Sequence, residues 1–146
     1  MVDFPPQGLG GPSLQTVRVL ADQTNTANVE KSTTLTANLV ANTSYIVKVL
    51  FIYTNASSSS LNYQIKNITN ASLSSYTIYG QGTGSGSFGT NLLGTSPTSA
   101  IGSSYLLIII TMGATPSTLE IDFINPAATG TATIKAGSWM EIERVS

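Results

Sequence analysis

The sequence of 146 residues contains no cysteine and no histidine. Without cysteine there can be no disulfide framework, no thiolate zinc site and no cysteine nucleophile. Without histidine there can be no Ser-His-Asp catalytic group, no imidazole metal ligand and no ordinary switch near neutral pH. These two absences exclude the commonest catalytic and metal-binding chemistries. We therefore expect no enzymatic activity, no metal site and no cofactor.

Charge is also scarce. Charged residues make up 9% of the chain, against about 25% in ordinary globular domains. Six basic and seven acidic residues give a net charge of −1, so the chain has no basic surface for nucleic acid. Positions 67–119 hold no formal charge at all, while serine and threonine occupy 39 positions along the chain. Such an uncharged surface suits a protein that ends in an assembly better than a free monomer.

Targeting signals and long hydrophobic runs are missing as well. The first residues have neither a basic region nor an apolar region of the kind found in signal peptides, so we expect no secretory signal. The longest apolar run, residues 105–110, is far shorter than the ~20 residues that span a bilayer. A membrane partner is not expected.

What the chain does contain is a repeated β-strand pattern. Residues 45–53 and 105–112 are rich in β-branched and aromatic residues and are apolar at almost every position, so we expect central strands buried on both faces. Residues 61–66 and 119–123 alternate between apolar and polar. Turn residues separate these segments from weaker candidates at 14–20, 33–39, 73–79, 131–135 and 138–145. The pattern predicts an all-β fold, an antiparallel β-sandwich or jelly roll of about eight strands.

The first dozen residues differ from the rest, because proline and glycine make residues 4–12 unsuitable for a strand or a helix. We expect residues 1–12 to form an extended N-terminal arm and residues 13–146 to form the β-sandwich domain. An arm of this kind either is disordered or lies on a neighbouring subunit. The side chains predicted to contact other proteins are Phe4, Pro5, Pro6, Leu9, Phe88 and Trp139.

Two short patterns suggest chemistry but have a simpler explanation. Residues 84–89 spell G-x-G-x-x-G, but this motif binds a dinucleotide only where it opens a helix after a strand, and no helix is predicted here. Glu120 and Asp122 share one strand face, as do Glu141 and Glu143, and paired carboxylates can bind calcium. Because Glu120 and Asp122 alternate with apolar residues, we expect them on a solvated sheet face instead.

The order of several segments resembles a jelly-roll module of tailed-phage virion proteins. In residues 14–146, a first strand at 17–23 and a threonine-rich strand at 33–37 precede the turn Ala41-Asn42-Thr43-Ser44-Tyr45 and a long apolar strand. Residues 134–144, near the end of the sequence, include Gly137-Ser138-Trp139 and are similar to the closing turn and strand of that module. The resemblance implies a jelly roll that is often trimeric. Residues 80–102 match nothing in the module.

Modules of this kind occur as capsid decoration proteins and as parts of tail and fibre proteins. A module with only a short arm best fits a decoration protein, which would bind the outside of the capsid at junctions of the major capsid protein. We expect a homotrimer, assembled in the host cytoplasm and located on the virion. The alternatives are a host-adhesion module with exposed aromatic residues around Tyr76 and Tyr79, and a secreted or archaeal surface-filament domain with glycan at Asn42 or Asn55. The further sequons at Asn67 and Asn70 bring the total to four, which is no enrichment in a chain so rich in serine and threonine.

Overall fold

The computed structural model describes residues 13–56, 61–66, 71–80, 92–95 and 101–145, with the backbone alone for 71–80 and 92–95. These residues form eleven β-strands and no helix. The strands are β1 (Leu14–Arg18), β2 (Gln23–Asn25), β3 (Lys31–Leu39), β4 (Ser44–Asn55), β5 (Asn62–Lys66), β6 (Ala71–Gly80), β7 (Leu92–Thr95), β8 (Ile101–Met112), β9 (Ser117–Ile124), β10 (Ala132–Ile134) and β11 (Trp139–Arg144). The all-β prediction is confirmed.

Seven of the strands form the sheet that we call the large sheet. One edge of β4 pairs with β8 along its whole length, and the other edge pairs first with β11 and then with β10. Strand β1 pairs with the free edge of β11, β2 pairs with that of β10, and β6 pairs with β8. Because β1 and β2 lie end to end, as do β11 and β10, the sheet is five strands wide.

The other four strands form the small sheet, in the order β3-β9-β5-β7. All pairs in both sheets are antiparallel. We count β1 and β2 as one strand, and β10 and β11 as another. Successive strands then alternate between the two sheets, and the first strand lies beside the last in the large sheet. This arrangement is that of a jelly roll.

The core lies between the two sheets. Alternate residues of β4, β8 and β9 point inward and are buried, among them Val47, Ile108 and Ile121. The rings of Phe51 on β4 and Tyr63 on β5 stack across the two sheets, with centroids 4.4 Å apart and planes 5° from parallel. Such contacts join the inner faces of two sheets into one packed layer.

The turn before β4 shows why its residues are Ala-Asn-Thr-Ser-Tyr. Asn42 has a φ of 53°, a left-handed conformation that asparagine tolerates better than most residues. Its N–H donates to Gly113 O at 2.9 Å, and the Met112 N–H donates to Thr43 O at 2.9 Å. The Tyr45 hydroxyl, fully buried, accepts the Val40 N–H at 2.8 Å. The motif therefore fixes the start of β4 against the end of β8.

The turn before β11 is held by Gly137 and Ser138. Gly137 has a φ of 92°, which glycine adopts at little cost, and its N–H donates to Val19 O at 2.9 Å. The Ser138 hydroxyl is buried; it accepts the Ile52 N–H at 2.9 Å and donates to Ile52 O at 3.3 Å. Strand β4 pairs with β11 and then with β10, and this turn lies where one partner strand is exchanged for the other. Ser138 supplies hydrogen bonds to β4 there, so the edge of β4 stays hydrogen-bonded between the two partner strands.

The expectation that the two long apolar strands are buried on both faces is wrong. In β4 and β8 every second residue is buried, and the residues between them are half-buried or exposed. Ile52, Ile109 and Ile101 are 36%, 38% and 75% exposed. The physical reason is that a sandwich has two layers, so each sheet can cover only one face of its central strands.

Two strands were not expected from the sequence. They are β2, three residues long, and β7, four residues long. The part of the chain that the structure describes contains no helix long and apolar enough to cross a membrane.

Candidate assembly surface

The outward-pointing residues of the large sheet form a grid that the strand register defines. One row runs from Arg18 through Trp139 and Leu50 to Tyr105. The next row runs from Thr16 through Glu141 and Lys48 to Leu107, and a third from Leu14 through Glu143 and Ile46 to Ile109. We call the outward residues from Ile46 to Ile52 on β4 and from Ile101 to Ile109 on β8, together with Trp139, the outer apolar face. Its members are Ile46, Lys48, Leu50, Ile52, Ile101, Ser103, Tyr105, Leu107, Ile109 and Trp139.

Most members of the outer apolar face are large hydrophobic residues. On an antiparallel sheet with one solvated face, the outward positions are normally polar. Here β4 and β8 place nine residues outward between Ile46 and Ile52 and between Ile101 and Ile109, and only Lys48 and Ser103 among them are not apolar or aromatic. A contiguous apolar patch on the outside of a protein marks an interaction site.

The one charge inside the outer apolar face is neutralised within the chain. Lys48 Nζ lies 3.0 Å from Glu141 Oε1 on the neighbouring strand. The Glu141 carboxylate, which accepts this hydrogen bond, raises the pKa of the Lys48 ammonium. The side chains of Lys48 and Glu141 are 34% and 26% exposed, so their stems cover part of the sheet while the charged ends remain at its surface.

Trp139, which the sequence predicts at a protein interface, lies on this face. It begins β11, is half-buried and sits beside Leu50 in the register. Of the other predicted interface residues, Phe4, Pro5, Pro6, Leu9 and Phe88 lie outside the described residues, as does the whole proposed arm, 1–12. The remaining members of the face were missed, although the apolar pattern on both sides of β4 and β8 was the signal that could have found them.

The outer face of the small sheet is different, because it carries charged and amide side chains. Lys66 on β5 forms ion pairs with Glu30 and with Asp122, whose Oδ2 lies 3.3 Å from Lys66 Nζ. The Lys66 ammonium lowers the pKa of Glu30, chiefly through their hydrogen bond. Burial, with a smaller contribution from Glu120, raises the pKa of Asp122 against the opposing effect of Lys66.

The prediction that Asp122 lies on a solvated face is wrong. Asp122 is 3% exposed, and its Oδ1 has no hydrogen-bond partner among the residues that the structure describes. It pairs in the register with Gln64 of β5, also buried, so neighbouring side chains cover it. The described residues contain no group of three or more acidic or other ligand side chains able to hold a metal ion, and the ammonium of Lys66 lies between Glu30 and Asp122.

The structure also describes two of the four sequons. Asn55 ends β4 and is 3% exposed, so a glycan there would require the strand end to open. Asn42 is exposed in the turn before β4. Asn67, Asn70 and the G-x-G-x-x-G segment, 84–89, lie outside the described residues.

Comparisons with known proteins concern the fold alone. No family model matches the chain, and no curated protein matches it. Among solved structures, it is similar to the tripod from the baseplate of bacteriophage Tuc2009, with 12% identity, a TM-score of 0.46, and 92% of this chain and 63% of that chain covered. It is also similar to the VP2 subviral particle of infectious bursal disease virus, with 14% identity and a TM-score of 0.28 over 98% of this chain and 46% of that one.

The chain thus spans less than two thirds of the solved chains that it matches. At this level of similarity, the comparisons do not define the function of the chain.

Proposed function

We propose that the chain is a viral structural protein, and specifically a capsid decoration protein that binds the outside of a shell and stabilises junctions between major capsid subunits. The observation that carries a structural role is the outer apolar face. This two-layer fold has isoleucine, leucine, tyrosine and tryptophan pointing outward from the inner strands of its large sheet. Such an apolar surface is typical of a contact with another protein.

The distribution of charge supports the same role. A site that recognises a small molecule usually combines a concave pocket with a few converging polar groups. The outer apolar face is instead the broad outer surface of a sheet. Its one charged member, Lys48, forms an ion pair with Glu141 of the same chain. Affinity for a shell would come from buried area and from many copies acting together rather than from a charged site.

The virus-related part of the proposal depends on the sequence motifs. The turn at residues 41–45 fixes the start of β4, and the turn at Gly137-Ser138 fixes the start of β11. Both turns therefore position the strands that carry the outer apolar face. A chain that keeps these segments in the order found in phage jelly-roll modules retains the parts of the module that build this sheet.

Binding to shells tests the proposal. Purified chain is mixed with tailed-phage capsids stripped of their decoration protein, and binding is measured by cosedimentation while the melting of the shells is followed by calorimetry. We expect saturable binding and a higher melting temperature of the shell. The matched control is the same capsid with its own decoration protein in place, which should bind no further chain.

Two outcomes would contradict the proposal. Failure to bind any stripped shell, together with binding to a surface glycan on an array, would instead support the tail or fibre adhesion module. A native mass above the calculated 15.2 kDa by the mass of a glycan, measured on material from its natural source, would support the surface-filament alternative.

A further inference from the structure

Among the strands that the structure describes, the register is interrupted only at the edges of the sheets. The pairs that join inner strands, β4 with β8, β10 and β11 and β5 with β9, run without a shift. A shift occurs where β3 pairs with β9, β6 with β8 and β7 with β5, and β3, β6 and β7 are each the last strand on their side of a sheet. In all three pairs the extra residues belong to the edge strand.

The bulge of β3 lies between Ser32 and Leu35, where the chain advances three residues on β3 against one residue on β9. Thr33 and Thr34 are therefore extra. Thr34 is exposed and has a φ of 70°, a conformation that is unfavourable for a β-branched residue. Strain of this kind persists only where the surrounding structure imposes it, and it is commonly part of a function.

The backbone of the bulge forms hydrogen bonds with the side chains of the bulge itself. The Thr34 N–H donates to Ser32 Oγ at 3.0 Å, and the Leu35 N–H donates to Thr33 Oγ1 at 3.2 Å. The Thr33 hydroxyl donates to Ile121 O at 2.6 Å. A strand added to this edge would need donors and acceptors at the regular spacing of an antiparallel ladder. The bulge breaks that spacing and occupies the Thr34 donor.

Charge gives this edge little protection. Proteins often place lysine on their edge strands, but this chain has only six basic residues. The one charged residue of β3 is Lys31, at its first position, and its ammonium donates to Thr24 O on the nearby strand β2. The other eight residues of β3 are uncharged and include no proline. The bulge is therefore the main feature that distinguishes β3 from an open edge.

We propose that the bulge of β3 closes the free edge of the small sheet to strand addition by other copies of the chain. The extra residues of β6 and β7 interrupt their own edges in the same way. This inference goes beyond the decoration role and does not depend on it, because the outer apolar face belongs to the other sheet. Copies that meet at high local concentration would then not extend their sheets into one another.

Deleting Thr33 and Thr34 together tests the proposal. Ser32 would then be followed directly by Leu35, and each would lie opposite the residue of β9 that it faces now. The deletion therefore makes the edge regular and keeps the alternation of inward and outward side chains. The matched control is Thr34→Gly, which relieves the strain but keeps the bulge and its hydrogen bonds. Light scattering measures the mass of each protein over a range of concentrations, and circular dichroism measures its strand content.

We expect the deletion variant to associate, with a mass at high concentration at least about twofold above that of the unmodified chain, because an open edge accepts a whole further copy. Thr34→Gly should have the mass of the unmodified chain. Hydrogen exchange should show new protection of amides in residues 31–39 when the deletion variant associates. A folded deletion variant with the mass of the unmodified chain, or association that protects only strands other than β3, would overturn the proposal.

A second variant decides the question if the deletion variant does not fold. The double substitution Lys31→Thr/Ser32→Ala removes the charge of the edge and the acceptor of the Thr34 N–H, and it leaves the length of the chain unchanged. It should associate more strongly than Lys31→Thr alone, because it also frees a backbone donor at the edge. Equal masses of these two variants at every concentration would overturn the proposal.

Shell binding separates this proposal from the decoration role. At concentrations below those at which it associates, the deletion variant should bind stripped shells as the unmodified chain does, because the outer apolar face is unchanged. If neither protein binds a stripped shell while the deletion variant associates through β3, the decoration role is wrong and the closed edge stands. If both bind and the deletion variant does not associate, the decoration role stands and the closed edge is wrong.

Discussion

Ser138→Ala should cost about 1–3 kcal/mol of unfolding free energy, although the substitution removes a single oxygen atom. The Ser138 hydroxyl accepts the Ile52 N–H at 2.9 Å, at the point where the β4 ladder passes from β11 to β10. In the variant, that N–H loses its acceptor. The Ile52 carbonyl keeps a partner, because the Lys135 N–H donates to it at 2.8 Å. The loss therefore corresponds to one unsatisfied backbone donor, and the cavity term is small.

Two assays measure this loss: urea unfolding followed by circular dichroism, fitted with one slope of free energy against urea concentration for all variants, and a thermal melt. For a chain of this length the melting temperature should fall by about 2–4 °C for each kcal/mol lost. The control is Ser103→Ala, since Ser103 lies opposite the same Ile52 on the other neighbouring strand but is exposed. It should change stability by less than about 0.5 kcal/mol. A Ser138→Ala variant as stable as Ser103→Ala would refute the reasoning.

Three other substitutions test separate features of the fold by the same unfolding assay. Thr34→Gly should stabilise the chain by about 1 kcal/mol, because Thr34 holds a φ of 70° in the bulge of β3; Thr36→Gly, on the same strand without that strain, should destabilise it. Gly102→Ala should cost about 1–3 kcal/mol, because its Cβ would lie 2.4 Å from the hydroxyl oxygen of the buried Tyr53. Asp122→Asn should stabilise the chain at neutral pH: burial raises the pKa of Asp122 from 3.8, so stability is lost as pH rises above 3.8. The stabilisation by Asp122→Asn should shrink towards zero below pH 3.8. An equal stabilisation at neutral pH and below pH 3.8 would contradict this prediction.

The strand segments could be predicted from the sequence because most of them bury one or both faces. Alternation in residues 61–66 and the apolar runs in β4 and β8 mark strands directly. Strands β2 and β7 carry three and four residues with no such pattern, and they exist because neighbouring strands supply their hydrogen bonds. The positive φ of Thr34 was equally unpredictable, because β-branched residues disfavour that conformation and only the tertiary register imposes it.

The burial of Asp122 could not be predicted for a related reason. Its position between Ile121 and Phe123 correctly places it on the face opposite the core. Whether that face is solvated depends on which residues lie across the strand pair, and the register sets Gln64 beside Asp122 and brings Lys66 to it. Alternation along one strand therefore predicts the direction of a side chain but not its exposure.

The same distinction explains why the outer apolar face escaped the sequence analysis. A strand that is apolar on both sides was taken to be covered on both sides, as it would be in a three-layer fold. The number of layers is a property of the whole chain, and among the described strands no second sheet lies against the outward residues of β4 and β8. The hydrophobic pattern therefore predicted two apolar faces correctly, but burial of the outward face does not follow from it. A sequence in which the central strands contain more apolar positions than its two described sheets can cover predicts a further contact over the outward face of those strands.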